Sequence, residues 1–145
     1  MSTVANILQR KHQILVTALP NMMVVEALQI MSDNNIGSIV VSENGNYQGI
    51  MTERDYARKV VIKGKRSFDT KVSDIMSTDL PIVAPEDSIE HCMAIMSDKN
   101  IRYLPVFAGG KLAGILSILD LIDETVVHQR ETISHLRDYI SGSYA

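Results

Sequence analysis

A chain of 145 residues with a net charge of −3, 46% hydrophobic and 21% charged residues has ordinary globular composition. It offers no general electrostatic reason to bind nucleic acid or an anionic membrane, and its one cysteine, Cys92, excludes a disulfide framework and a thiolate metal cluster. No apolar run approaches the ~20 residues that span a bilayer and the first residues lack a secretory-leader pattern, so the expectation is a soluble, cytoplasmic protein.

Taken in order, Thr3 to Lys11 reads as a short helix capped by Ser2 or Thr3, with Ile7 and Leu8 on its buried side. Gln13 to Ala18 is a β-like run stopped by Pro20, and Val24, Val25, Leu28, Ile30 and Met31 mark a helix of about three turns. Ser38 to Val41 is a strand, Glu43-Asn44-Gly45-Asn46 carries the Asn-Gly hairpin signal, and Tyr47 to Met51 returns. Thr52 opens a helix through about Ile62. The polar stretch Lys63 to Lys71 reads as a solvated linker, followed by a turn of helix from Val72 to Met76. The order then recurs. Ile82-Val83 reads as a strand, Ser88 to Asn100 as a helix, and Tyr103 to Phe107 as a strand. Gly109-Gly110 is a turn, Lys111 to Leu116 a returning strand, and Ser117 begins a last helix to about Ile140.

Sliding residues 20–57 by 65 places without a gap makes the recurrence countable. The 12 identities in those 38 positions are Pro20/Pro85, Ile30/Ile95, Met31/Met96, Ser32/Ser97, Asp33/Asp98, Asn35/Asn100, Ile36/Ile101, Val41/Val106, Gly45/Gly110, Gly49/Gly114, Ile50/Ile115 and Asp55/Asp120. Each copy reads β-α-β-β-α, too short to bury its own sheet, so the two are expected to pack about a pseudo-two-fold axis with two related clefts where they meet. The fold class is α/β (α+β).

Each copy ends in Gly-Ile-x-Thr/Ser-x-x-Asp, at Gly49 to Asp55 and at Gly114 to Asp120. With the order of elements, this resembles the paired cystathionine-β-synthase (CBS) domains of a Bateman module. Thr52 to Val60, Asn100 to Val106 and Leu136 to Gly142 are similar to free-standing bacterial CBS-pair proteins. The resemblance implies a first motif over 8–65, with the N-terminal helix, and a second over 72–140, with the long C-terminal helix. It also implies a regulatory, non-enzymatic module that binds an adenosine ligand between its motifs: AMP first, then ADP or ATP, with NAD or S-adenosylmethionine as further possibilities. The implied partners are that nucleotide, a second copy in a homodimer, and a regulated protein.

The residue types suit that chemistry. A ribose offers two adjacent hydroxyl donors to one carboxylate, and a phosphate favours a hydroxyl, free backbone N–H groups and a guanidinium. Thr/Ser-x-x-Asp at a helix start supplies the hydroxyl and the carboxylate, although the same pattern is also a capping box that only satisfies orphan N–H groups. By resemblance, the stronger cleft takes Thr17, Ile36, Gly37 and Ser38 for the base, with Arg102, Ile115, Ser117 and Asp120 for phosphate and ribose. The weaker cleft takes Ile82, Ile101 and Tyr103 with Ile50, Thr52 and Asp55. Ile82 stands there where the family often has Thr, and Gly37 stands opposite Arg102.

The other candidates read as structure. His128 and His135 share a helical face without a convergent carboxylate. His91-Cys92 reads as packing at the core edge, and the eight methionines as core filler. No nucleophile with a paired base emerges and no metal or catalytic cofactor is expected. The rival reading is an interaction dimer with vestigial clefts that modulates a redox partner. The helices Thr52 to Ile62 and Ile118 to Ile140 are apolar on more than one side, which is what a dimer requires.

Overall fold

The computed structural model describes residues 2–11 and 14–141; Gln13, at the expected start of the first strand, and Gly142 lie outside them. The elements are α1 (Val4–Lys11), β1 (Thr17–Ala18), α2 (Val24–Asp33), β2 (Ser38–Glu43), β3 (Asn46–Thr52), α3 (Glu53–Tyr56), α4 (Val72–Ile75), α5 (Ile89–Lys99), β4 (Tyr103–Ala108), β5 (Lys111–Ser117) and α6 (Ile118–Ser141). Among the described residues no helix is long and apolar enough to cross a membrane. Among the described residues, 14–80 make one compact unit, and 2–11 join 81–141 in the other. The expected division at 8–65 and 72–140 follows the sequence repeat, whereas the packing assigns α1 to the second copy and α4 to the first.

In the unit spanning 14–80, Val24, Ala27 and Met31 recur at helical spacing and bury one face of α2 against Ala18, Ile39, Val41 and Met51. The sheet order is β1-β2-β3, with β1 parallel and β3 antiparallel to β2. The Asn-Gly signal is met by φ of 53° at Asn44 and 79° at Gly45, the left-handed pair that a tight hairpin uses. The helix expected from Thr52 to Ile62 is α only through Tyr56 and continues as π turns over Ala57–Val61. The polar stretch is more than a solvated linker. Its carbonyls at Ser67 and Thr70 accept from Val25 N and Val24 N at 2.9 and 2.8 Å, satisfying donors that the first turn of α2 leaves open. Past α4, Ser77 pairs with the edge of β3, its N–H donating to the Ile50 carbonyl (2.8 Å) and its carbonyl accepting from Ile50 N (3.0 Å). Gly49 permits this approach, since a Cβ there would lie 2.6 Å from the Ser77 oxygen.

In the other unit, α1, α5 and α6 contribute to one core with the β4–β5 hairpin: Val4 and Ile7 from α1, Cys92 and Met96 from α5, Leu104, Val106 and Leu116 from the strands, and Leu121 from α6. Leu8 packs at its edge, as expected. The expected strand at Ile82-Val83 contracts to one parallel bridge, Val83 to Val106, because Pro81 and Pro85 on either side lack the N–H a longer ladder needs. The last helix runs unbroken for 24 residues.

The repeat is visible in the backbone of both units. Asn35 and Asn100 take φ of 52° and 53° after their helices, Ile36 N and Ile101 N donate to Met31 and Met96 carbonyls at 3.0 Å, and each hairpin shifts register just beyond Val41 or Val106.

Candidate functional site

The site begins where the second strand of each hairpin turns into a helix. In the first unit, Thr52 ends β3 opposite Ser38 and caps α3: its hydroxyl accepts from Asp55 N (3.0 Å), and Asp55 Oδ2 accepts from Thr52 N and from the Thr52 hydroxyl, each at 3.0 Å. Asp55 Oδ1 accepts from the Ser77 hydroxyl (3.0 Å) and pairs with the Lys59 ammonium (2.9 Å), one turn along. Asp55 is buried. The Gly37 carbonyl accepts from Glu53 N (3.1 Å), which holds Gly37 and Ser38 beside the box.

The second unit repeats the box with different company. Ser117 ends β5 opposite Tyr103 and accepts from Asp120 N (3.1 Å), while Asp120 Oδ2 accepts from Ser117 N (2.8 Å). The same oxygen accepts from the Lys11 ammonium at 2.9 Å, and Lys11 also donates to the Ile115 carbonyl (2.9 Å). Arg102, exposed at the position equivalent to Gly37, accepts from Ile118 N through its carbonyl (2.9 Å) and is thereby fixed next to Ser117. One turn beyond Asp120, the buried Glu124 pairs with Arg10 (3.1 Å), which also reaches Glu131 at 3.9 Å. The last turn of α1 thus sends two cations to the first turns of α6.

Of the residues expected to bind ligand, Arg102, Ile115, Ser117 and Asp120 converge on one strand-to-helix junction, together with Tyr103. Ile50, Thr52 and Asp55 converge on the other, with Gly37 and Ser38 beside them. Thr17 is exposed on β1, paired with Val40 two residues from Ser38, and Ile36 is half-buried ahead of β2. Ile82 is exposed beside the Val83 bridge, and Ile101 is half-buried just before Arg102. Sequence reasoning missed Lys11, Arg10, Glu124, Lys59 and Ser77. Only Lys59 carried a local signal, its spacing of four from Asp55.

Each box puts a carboxylate and a hydroxyl at a helix start, and along the 24-residue α6 the helix dipole at that end favours an anionic group. Lys11 pairs with Asp120, and the cationic Arg102 adjoins the same junction through its backbone bond to Ile118, a combination that suits a phosphorylated hydroxyl-bearing ligand. Burial pushes the Cys92 thiol up to about 11, with the Asp87 charge adding to it, so at neutral pH the sulfur is a protonated core group rather than a nucleophile. Among the described residues no cluster of three or more His, Cys, Asp or Glu side chains is placed to hold a metal ion.

Comparison with known proteins agrees with this architecture. The family model described as "CBS domain" matches twice, over residues 4–62 and 72–127. A CBS domain-containing mitochondrial protein of Arabidopsis thaliana is 39% identical over 126 residues; the match takes in 83% of this chain and 61% of that protein's length. A solved structure from Burkholderia ambifaria, titled as a putative signal-transduction protein with CBS domains, superposes with a TM-score of 0.84 at 39% identity, covering 88% of this chain and 96% of that one. The CBS domain pair of protein MJ0100, solved with 5′-methylthioadenosine and S-adenosyl-L-methionine, shares the fold with a TM-score of 0.75 at 24% identity, over 89% of this chain and 98% of its own.

Proposed function

Because the chain belongs to the CBS-domain family and carries two such motifs in tandem, a family of regulatory modules that commonly bind nucleotides, we propose that it senses an adenine nucleotide, AMP first, and does no chemistry on it. The observation that supports this reading best is the junction at Ser117 and Asp120. There a partly exposed carboxylate and a hydroxyl at a helix start stand beside Lys11 and the exposed Arg102.

In this reading Asp120 accepts the two ribose hydroxyls, and the Ser117 hydroxyl and the Arg102 guanidinium take the phosphate at the positive end of the α6 dipole. Lys11 offsets the carboxylate so that an anionic ligand is not repelled. Thr17, Ile36 and the backbone at Gly37 and Ser38 flank the base, and Ile115 lines the sugar. The equivalent set of Ile82, Ile101, Tyr103, Ile50, Thr52 and Asp55 is the weaker site, since Asp55 is already engaged by Thr52, Ser77 and Lys59. A ligand that bridges the two motifs biases their arrangement by its differential affinity, and a homodimer passes that bias to a regulated partner. The reading includes a cytoplasmic location, which the lone buried thiol suits.

Calorimetry and thermal unfolding with AMP, ADP, ATP, NAD and S-adenosylmethionine test this for the wild type and Asp120→Ala. A nucleotide at a hundredfold its Kd should stabilise the wild type by about 2.7 kcal/mol, and Asp120→Ala should lose that gain. No stabilisation by any of the five ligands refutes the sensor and leaves the interaction dimer. Conversion of ATP to AMP that Ser117→Ala abolishes refutes the non-enzymatic role.

A further inference from the structure

The 24 residues of α6 extend about 36 Å at 1.5 Å per residue, yet only Leu121 and Glu124 are buried and every residue from His128 to Ser141 is exposed. On a face turned away from Leu121 lie Leu119, Ile122, Val126, Ile133, Leu136 and Ile140, all of them exposed. Their spacing alternates three and four without a slip once Gln129 takes the remaining place. That is the a/d pattern of a two-stranded coiled coil carried through three heptads, narrower and more regular than core burial requires.

We propose that this stripe is the seam of an antiparallel coiled coil with α6 of a second copy of this chain. The register follows from the residues. Leu119 packs on Leu136 of the second copy, Ile122 on Ile133, and Val126 on Gln129, so the two polar Gln129 side chains sit in adjacent central layers and every outer layer is aliphatic. The flanking charges choose the direction. Asp123 and Arg130 both occupy the e position, and none of the ion pairs among the described residues uses either. In the antiparallel register Asp123 of each copy meets Arg130 of the other, giving two ion pairs. A parallel, in-register pair would set Arg130 against Thr125 and Arg137 against Thr132, with no ion pair. This deepens the homodimer of the functional reading. Its test uses sedimentation and cross-linking of the unliganded chain, so its failure is separable from failure to bind AMP.

Sedimentation velocity of the full chain should show a dimer. Leu136→Glu alters an exposed residue outside the core, so circular dichroism should keep its native shape while the dimer dissociates. Asp123→Arg and Arg130→Asp should each weaken the dimer about fivefold, and the double reversal should restore it. An equimolar mixture of Val126→Cys and Gln129→Cys chains should give the mixed disulfide, with neither variant cross-linking to itself. The proposal is overturned by a monomeric wild type or by a dimer that survives Leu136→Glu through another face. Failure of the double reversal to restore affinity, or self-disulfides of Val126→Cys, overturns the antiparallel register.

Discussion

The junctions at Asp55 and Asp120 have the same backbone and different electrostatics. Each carboxylate accepts the N–H of a hydroxyl residue three positions earlier, at 3.0 Å in one and 2.8 Å in the other. The position four residues on decides the rest. After Asp55 it is Lys59, so the charge is balanced within its own helix. After Asp120 it is Glu124, so two acids lie on consecutive turns of α6 and the balance must come from elsewhere. Arg10 and Lys11, at the end of α1, supply it. The two boxes share their reciprocal backbone bonds and differ in counter-charge, which α1, seated in the second core by Val4 and Ile7, supplies to α6.

Arg10→Ala breaks this arrangement most severely. It leaves Glu124, whose side chain is 4% exposed, without its cation, and about 3 kcal/mol of stability should go, measured by urea unfolding. Glu124→Gln in the same chain should recover part of it, because a neutral amide is far cheaper to bury than a carboxylate. The matched change in the first unit, Lys59→Ala, should cost less, about 1 kcal/mol: the side chain is 42% exposed, Asp55 keeps the Thr52 and Ser77 bonds, and the further loss is one bond to the Ile75 carbonyl. Equal losses in the two variants would show that the counter-charge is not what distinguishes the junctions.

Next in size is ligand binding. If the cation-flanked junction holds the ribose, Asp120→Ala should raise the Kd for AMP about fiftyfold, the worth of hydrogen bonds to a charged acceptor. Asp55→Ala should change it less than threefold. Calorimetry that ranks them the other way round would move the nucleotide to the first unit's junction.

The hairpins, the helices and the boxes were legible because their signals are local: Asn44-Gly45 fixes a left-handed pair, and Thr52 or Ser117 caps a helix three residues from its Asp. The counter-charges were not. Lys11 lies 109 positions from Asp120, and Ser77 lies 22 from Asp55, on a segment whose edge pairing with Ile50 depends on the missing side chain of Gly49. The short bridge at Val83 shows a different limit, since the apolar pair promised a strand that its flanking prolines could not extend. The π turns after Tyr56 carry no sequence mark that we can name.

The finer contrasts concern single partners. Lys11→Met keeps most of the side chain's apolar length and removes the ammonium beside Asp120, so the Kd for AMP should rise about tenfold while that for unphosphorylated adenosine stays within about twofold. A parallel loss for both ligands would make Lys11 a ribose-site residue instead of a phosphate counter-charge.

Ser77→Ala is the mildest case and isolates the other junction. The hydroxyl donates to Asp55 Oδ1 at 3.0 Å, so its removal should cost about 1 kcal/mol in urea unfolding. The Ser77 backbone bonds to Ile50 need no side chain and should survive, leaving the sheet edge intact. Because Lys59 still faces the same oxygen, the carboxylate stays balanced, and AMP affinity should not change. An affinity gain in this variant would mean that the Asp55 junction is a competent site that Ser77 occludes, and the asymmetry between the two copies would then lie in occupancy rather than in charge.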